Sequence, residues 1–228
     1  FCITVVAGTG DYPEGVVGSV RCVKGTDLCQ QAQKGEAENI LIDIRTSGRL
    51  CRSREDGTVS NPVGGDFLKI GYSGNIDDEA ALSVRLNPAD LHCLLQHKEQ
   101  RKAVVVANGR HQEDEALAAG CDAIEQGYGM GEDNLRRMVD KNILWIPSVL
   151  RAKNALDAAG SGGDVCCRFS QRYIAPGQSL PGAEAFWKKV LADQLSQLRL
   201  ARQLGVTTAV GTGAGSVGIL HGESMVEE

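Results

Sequence analysis

Three segments between residues 104 and 148 decide the fold. They are Val104-Val105-Val106-Ala107-Asn108-Gly109, Ala116-Leu117-Ala118-Ala119-Gly120-Cys121-Asp122-Ala123-Ile124-Glu125-Gln126-Gly127 and Trp145-Ile146-Pro147-Ser148. Each contains a short apolar or β-branched run, and helical or glycine-rich stretches separate the runs. This alternation predicts parallel strands that are covered on both faces. Across the whole chain it predicts seven strands, at residues 3–7, 40–44, 67–70, 104–107, 123–125, 144–146 and 207–210.

Helix-start and helix-stop residues lie between several of these strands. Asn87 before Pro88 predicts an N-cap, with a helix that continues through Gln100 and ends in the basic residues Arg101-Lys102. Two further helices are predicted at 132–140 and 183–204, with Asn142 and Gly205 as their left-handed ends. The apolar stripe predicted to face the core from the last helix comprises Trp187, Leu191, Leu195, Leu198 and Ala201. The aperiodic stretches 49–65 and 158–181 are predicted to be long loops.

Composition limits the classes of protein that this chain can represent. The chain has 228 residues, and 42% of them are hydrophobic. Residues 1–228 can therefore form a single domain around one core. The net charge of −5 provides no basic surface, so we expect neither nucleic acid nor membrane as a partner. Eight scattered cysteines without a Cys-x-x-Cys motif indicate reduced thiols and a cytoplasmic location. Because the chain begins with Phe1, we expect it to be a processed product or a piece of a longer protein.

Three local motifs occur in the order of a known family. The first is Asp66-Phe67-Leu68-Lys69-Ile70, and the second is the Ala-Gly-x-x-x-Ile-Glu-x-Gly and Trp-x-Pro pattern within 104–147. The third is Val210-Gly211-Thr212-Gly213-Ala214-Gly215-Ser216, continuing to Leu220-His221-Gly222-Glu223. With these motifs the chain resembles the metal-dependent amidohydrolases of the imidazolonepropionase and prolidase-like branch.

The resemblance implies an α/β fold of the (β/α)8 TIM-barrel type. The seven predicted strands would be the second to the eighth, so this single barrel domain would lack the usual first strand and the segment after the eighth. An open barrel exposes unpaired strand edges, so we expect a homo-oligomer or a partner chain to cover them. Family members hydrolyse C–N bonds with zinc or another divalent metal.

The expected metal ligands are substituted in this chain. By resemblance, Val106 and Gln126 stand where the family has histidines, Gly213 stands where it has aspartate, and only Lys69 is retained. Valine and glycine have no side-chain donor, and a neutral amide replaces imidazole poorly. We therefore expect no bound metal or other cofactor and the loss of metal-dependent catalysis. A rebuilt metal site would draw on Cys93 and His97, four apart on a helix, and on His111 and His221 in predicted loops.

The remaining polar residues near the predicted strand ends form the candidate site. Lys69 could act as a desolvated amine nucleophile or pair with Glu125 or Asp77, and it is grouped with His221 as a catalytic candidate. The predicted substrate-binding residues are Asn108, Glu125, Gln126, Tyr128, Ser148 and Thr212. Gly213, Ala214, Gly215 and Ser216 could bind an anion through backbone N–H groups, or could form only a tight turn.

Two functions remain open at this point. The chain is either a non-catalytic homologue that binds a small molecule or a working hydrolase of C–N bonds. The hydrolase would act on a cyclic amide or peptide-like substrate, with metal ligands from a partner chain or from other residues.

Overall fold

The computed structural model describes residues 47, 50–52, 59, 65–74, 76, 86–160 and 182–211, with the backbone alone at 158–160. Its elements are β1 (Phe67–Gly71), α1 (Pro88–Gln96), β2 (Lys102–Ala107), α2 (Arg110–Ala119), β3 (Ala123–Gln126), α3 (Gly131–Lys141), β4 (Leu144–Ile146), α4 (Val149–Gly160) and α5 (Ala183–Leu204). The chain divides into a first unit, Phe1–Ile124, and a second unit, Glu125–Glu228, with the boundary inside β3. The strands predicted at 3–7 and 40–44 lie outside the described residues.

A parallel sheet forms the centre of the first unit, in the order β1, β2, β3. β1 and β2 pair in parallel, with Lys69 opposite Val104 and Gly71 opposite Val106. Because side chains alternate along a strand, these four residues share one face of the sheet. The other face is fully buried and α2 packs against β2, as in a βαβ unit. The residues on that buried face are Leu68, Ile70, Ala103, Val105 and Ala107.

The outer edge of β1 is paired by a residue that the sequence placed in a loop. Cys51 forms a parallel bridge to Ile70, with its N–H donating to the Lys69 carbonyl and its carbonyl accepting from the Gly71 N–H, both at 2.9 Å. The prediction of a loop over 49–65 is therefore wrong at Cys51. The reason is that a strand edge offers unpaired backbone groups, which an adjacent apolar segment can satisfy. Burial raises the pKa of the Cys51 thiol to about 11, with Arg101 opposing the shift, so the thiol is protonated.

The second unit places α5 against α3 and α4, with β4 beside β3. The strand predicted at 207–210 is reduced here to one parallel bridge between Trp145 and Thr208. In that bridge the Trp145 N–H donates to the Thr207 carbonyl at 3.0 Å, and the Ala209 N–H donates to the Trp145 carbonyl at 2.9 Å. No helix among the described residues has both the length and the apolar character that a bilayer span requires.

Helix ends follow the local sequence signals closely. The Asn87 side chain accepts from the Ala89 N–H at 2.9 Å, and Asn142 and Gly205 end their helices at φ 51° and 83°, all as predicted. α1 stops at Gln96 and does not reach the predicted end at Arg101-Lys102, because the chain turns at His97, Glu99 takes a φ of 58° and Lys102 already begins β2. Helices α2 and α4 were not predicted, and α4 extends to Gly160, so the loop predicted from residue 158 starts later.

The buried stripe of α5 differs from the predicted one. Its buried residues are Trp187, Val190, Gln194 and Ala201, whereas Leu195 is 37% exposed. The predicted stripe thus drifts by one residue in the middle of the helix. Gln194 occupies the core position there because its side-chain amide donates to a main-chain carbonyl of the same unit.

Asp122 holds together the segment before β3 and the start of β2. Its carboxylate accepts hydrogen bonds from Lys98 at 2.5 Å, from Lys102 at 2.9 Å and from the Ala103 N–H at 2.9 Å. Burial alone would raise the pKa of Asp122, but these three donors outweigh it and hold the pKa below its usual value.

Asp122→Asn is expected to lower the free energy of unfolding by about 1–2 kcal/mol at pH 7, because it removes the charge from a partly buried, multiply bonded carboxylate. Since the folded pKa is depressed, this stabilisation is present above the unfolded pKa and is lost as the pH falls through the folded pKa. Urea unfolding at pH 7 and pH 3 measures both effects. Exposed Asp193→Asn is the control, and equal losses in the two variants would contradict the assignment.

Candidate functional site

One constrained segment of the second unit runs from the last residue of β3 to the first residue of α3. We call Gln126–Gly131 the post-β3 loop. Four of its six residues have left-handed backbone angles, with φ values of 74° at Gln126, 68° at Gly127, 104° at Gly129 and 74° at Gly131. Glycine adopts such angles freely, but glutamine does so at a cost of about 1–2 kcal/mol. The surrounding structure must supply that energy at Gln126.

Hydrogen bonds from outside the post-β3 loop fix the main chain of Gln126. Its carbonyl accepts from the Trp145 indole Nε1 at 3.1 Å and from the Gln194 side-chain Nε2 at 3.2 Å. The first donor comes from β4 and the second from α5. Two donors from two elements therefore hold one carbonyl, which keeps a strained residue in a defined position.

Other members of the predicted site contact one another in the same unit. Tyr128 and Ser148 are both buried, and the Tyr128 hydroxyl donates to the Ser148 carbonyl at 2.5 Å. Glu125, which precedes the post-β3 loop, is half-buried. The second unit thus brings Tyr128 and Ser148 together and fixes Gln126, whereas their roles in substrate binding stay predictions.

The first unit carries the other two described candidates. Lys69 is 7% exposed in β1 and has an interaction partner. Asn108 is fully buried after β2, where its Nδ2 donates to the Gly74 carbonyl at 2.9 Å and its N–H donates to Ser73 Oγ at 2.5 Å. Asn108 therefore ties the loops after β1 and β2 together. Val106 lies on the same sheet face as Lys69 and offers only hydrocarbon.

Of the histidines considered for a rebuilt metal site, His97 lies beside Cys93 as predicted, whereas His111 does not lie in a loop. His97 Nδ1 lies 3.6 Å from Cys93 Sγ and 2.8 Å from the Cys93 carbonyl, which can only accept, so Nδ1 carries the proton. The pair ends α1, before the amino end of β2, whereas ligands in α/β barrels bind at the carboxyl ends. His111 lies in the first turn of α2 rather than in a loop, because that helix starts directly after Gly109. Within the described ranges, no group of three or more His, Cys, Asp or Glu could hold a metal ion.

Several candidates cannot be placed. The catalytic candidate His221, the substrate-binding candidate Thr212, the Lys69 partner candidate Asp77 and the anion-binding candidates Gly213–Ser216 lie outside the described residues.

A buried carboxyl group in the first unit was not predicted from the sequence. Glu113 of α2 has no exposed surface, and neither side-chain oxygen makes a hydrogen bond among the described residues. Burial raises its pKa to about 8, with the Gly109 backbone N–H opposing the shift. The carboxyl is therefore protonated at neutral pH. A signal was present, because Glu113 lies three and four residues before the core residues Ala116 and Leu117.

A second missed group joins β1 to α2. The buried Tyr72 hydroxyl donates to Glu115 Oε2 at 2.6 Å, and Glu115 Oε1 lies 3.3 Å from Nε2 of the exposed His111. Burial and the carboxylate both raise the pKa of Tyr72. This arrangement locks the tyrosine as a donor between strand and helix.

Comparison with known proteins finds solved structures of similar architecture. No protein-family profile and no curated protein matches the sequence. Among solved structures, a Xaa-Pro dipeptidase with bound methionine aligns with a TM-score of 0.61 and 18% identity over 98% of this chain and 59% of that chain. A prolidase complexed with N-methylphosphonate-L-proline aligns with a TM-score of 0.58 and 15% identity over 86% of this chain and 52% of that chain. The A. niger ochratoxinase aligns with a TM-score of 0.52 and 18% identity over 67% of this chain and 32% of that chain.

The α/β fold is similar to that of amidohydrolase barrels. The predicted α/β fold class is thus confirmed, with a parallel sheet in the described part of the chain. At 15–18% identity this likeness establishes the fold and no more. The chain spans between about a third and three-fifths of the length of these three structures.

Proposed function

We propose that the chain is a homologue of the imidazolonepropionase and prolidase-like amidohydrolases that binds a small amide or peptide-like ligand without metal catalysis. The observation that carries the proposal is Val106. It lies at the end of β2 on the face of Lys69, and by resemblance it replaces a metal-binding histidine.

The donor set does not fit a catalytic divalent cation. Such an ion needs about three imidazole, carboxylate or thiolate ligands, with one position left open for water. Val106 offers no donor, Gln126 offers a neutral amide, and Gly213 has no side chain. Without a cation, nothing lowers the pKa of an attacking water toward neutrality. The proposal is therefore binding without metal-dependent hydrolysis.

The ligand class follows from the polar groups. In the second unit, the post-β3 loop carries the side-chain amide of Gln126, which suits a peptide unit. The similar solved structures include one with bound methionine and one with a proline phosphonate. A dipeptide such as Met-Pro is therefore the natural probe. We also propose a cytoplasmic location and a second copy or a partner chain on the open strand edges.

Elemental analysis combined with calorimetry tests the proposal. We expect well under one equivalent of zinc, iron or manganese per purified chain, and binding of Met-Pro in the presence of a chelator without cleavage. Gln126→Leu is expected to weaken that binding about tenfold, the loss of one hydrogen bond, whereas exposed Gln203→Leu should not change it.

Near-stoichiometric metal together with cleavage of Met-Pro would overturn the proposal. That result would favour the second candidate, an active hydrolase of C–N bonds whose ligands come from a partner chain or from other residues. The names of the similar dipeptidase and prolidase keep this candidate open.

A further inference from the structure

Gln194 is a polar residue at a position where the rest of its helix face is apolar. The buried residues around it on α5 are Trp187, Val190 and Ala201, while Gln194 itself is 1% exposed. Its Nε2 donates to the Gln126 carbonyl, but its buried Oε1 has no hydrogen-bond partner among the described residues. A leucine of similar volume would fill the site without burying an unsatisfied oxygen. Stability alone therefore does not account for glutamine here.

The partner of Gln194 is the one residue of the post-β3 loop whose backbone angle is unfavourable for its type. Gln126 has a φ of 74° although it is not glycine, and the Gln194 amide and the Trp145 indole both bind its carbonyl. A single donor could satisfy that carbonyl. The second one fixes its direction, and with it the orientation of the peptide plane and of residue 126.

The same helix also holds the far end of the loop. Gln197, one turn after Gln194 on α5, accepts from the Gly131 N–H at 3.1 Å. Gly131 is the first residue of α3, and no side chain caps that helix from the adjacent Met130. Gln197 thus satisfies a donor at the helix start that would otherwise need water. Two glutamines spaced three residues apart therefore hold both ends of the post-β3 loop.

We infer that Gln194 is a positioning residue that, through the Gln126 carbonyl, holds the post-β3 loop in the conformation that receives the ligand. The inference rests on the proposed function for the identity of the ligand. It deepens that proposal by assigning ligand affinity to a helix residue that acts through another residue. Preorganisation of this kind reduces the entropy lost on binding.

Gln194→Leu tests the inference, with exposed Gln203→Leu on the same helix as the matched control. We expect backbone amides of the post-β3 loop to exchange hydrogen about tenfold faster in Gln194→Leu, the factor for one lost hydrogen bond. We expect Met-Pro to bind about tenfold more weakly, with the thermal midpoint unchanged or raised. A purely structural role would instead lower the thermal midpoint and accelerate exchange throughout α5.

A second variant separates the positioning of Gln126 from packing. Asparagine adopts left-handed angles more readily than glutamine and keeps the amide, so Gln126→Asn needs less support. In that background we expect Gln194→Leu to accelerate loop exchange by less than about threefold. An equal acceleration in both backgrounds, or none in Gln194→Leu alone, would overturn the inference. Because exchange is measured on the free protein, failure of Met-Pro to bind would count against the ligand proposal alone.

Discussion

Gly127→Ala is expected to lower the free energy of unfolding by about 2–5 kcal/mol, the sum of a steric clash and left-handed backbone strain. An added Cβ at Gly127 would lie 2.6 Å from Trp145 Nε1 and 2.7 Å from Met130 Cε, and φ there is 68°. The indole would have to move, and its hydrogen bond to the Gln126 carbonyl would be lost. Urea unfolding followed by tryptophan fluorescence measures the change.

Gly205→Ala is the matched control for this variant. Gly205 lies in the same unit with a φ of 83°, but a Cβ there would meet nothing within 4 Å. Gly205→Ala therefore costs only the strain of an alanine at a left-handed backbone angle, about 1–2 kcal/mol. Equal destabilisation by the two variants would show that the contact with Trp145 and Met130 carries no energy.

Glu113→Gln is expected to remove a pH dependence of stability from the first unit. The pKa of Glu113 is about 8 in the folded chain, against an ordinary value of 4.5. Between these two pH values the folded state keeps a proton that the unfolded state has released. The free energy of unfolding of the unaltered protein therefore falls as the pH rises from about 4.5 to about 8, by on the order of 3–5 kcal/mol.

Glutamine cannot ionise, so the variant should be more stable than the unaltered protein at pH 8 and nearly equal to it at pH 4.5. Unfolding curves at half-unit pH intervals provide the measurement. Glu99→Gln removes an exposed carboxyl from the same unit and should leave the slope unchanged. If the free energy of unfolding of Glu113→Gln changed with pH in parallel with that of the unaltered protein, a buried, protonated carboxyl would be ruled out.

The sequence predicted features that depend on neighbouring residues. Asn142 and Gly205 end their helices as expected, because left-handed helix ends are a local preference of those residue types. Lys69 lies in a strand as expected, since the apolar run around it has few alternatives. The shift of the α5 stripe toward Gln194 could not be predicted, because a glutamine reads as a surface residue unless its distant partner is known.

The candidate site was predictable only in its composition. Tyr128 and Ser148 were both selected, yet their contact uses the tyrosine hydroxyl and a backbone carbonyl, which no residue pattern encodes. Glu113 stands beside two other acidic residues, and only the helical period distinguishes it from them. The strain at Gln126 was likewise invisible, because glutamine is not a residue that indicates a left-handed backbone.

The hydrogen bonds from α5 join residues that are far apart in sequence. Gln194 is 68 residues from Gln126, and Gln197 is 66 residues from Gly131. Contacts of such separation carry more loop-closure entropy than local contacts, which slows their formation relative to helices and neighbouring strands. During synthesis, the segment after β3 leaves the ribosome well before the helix that fixes its shape. We therefore expect the left-handed conformation at Gln126 to become fixed only after α5 has formed.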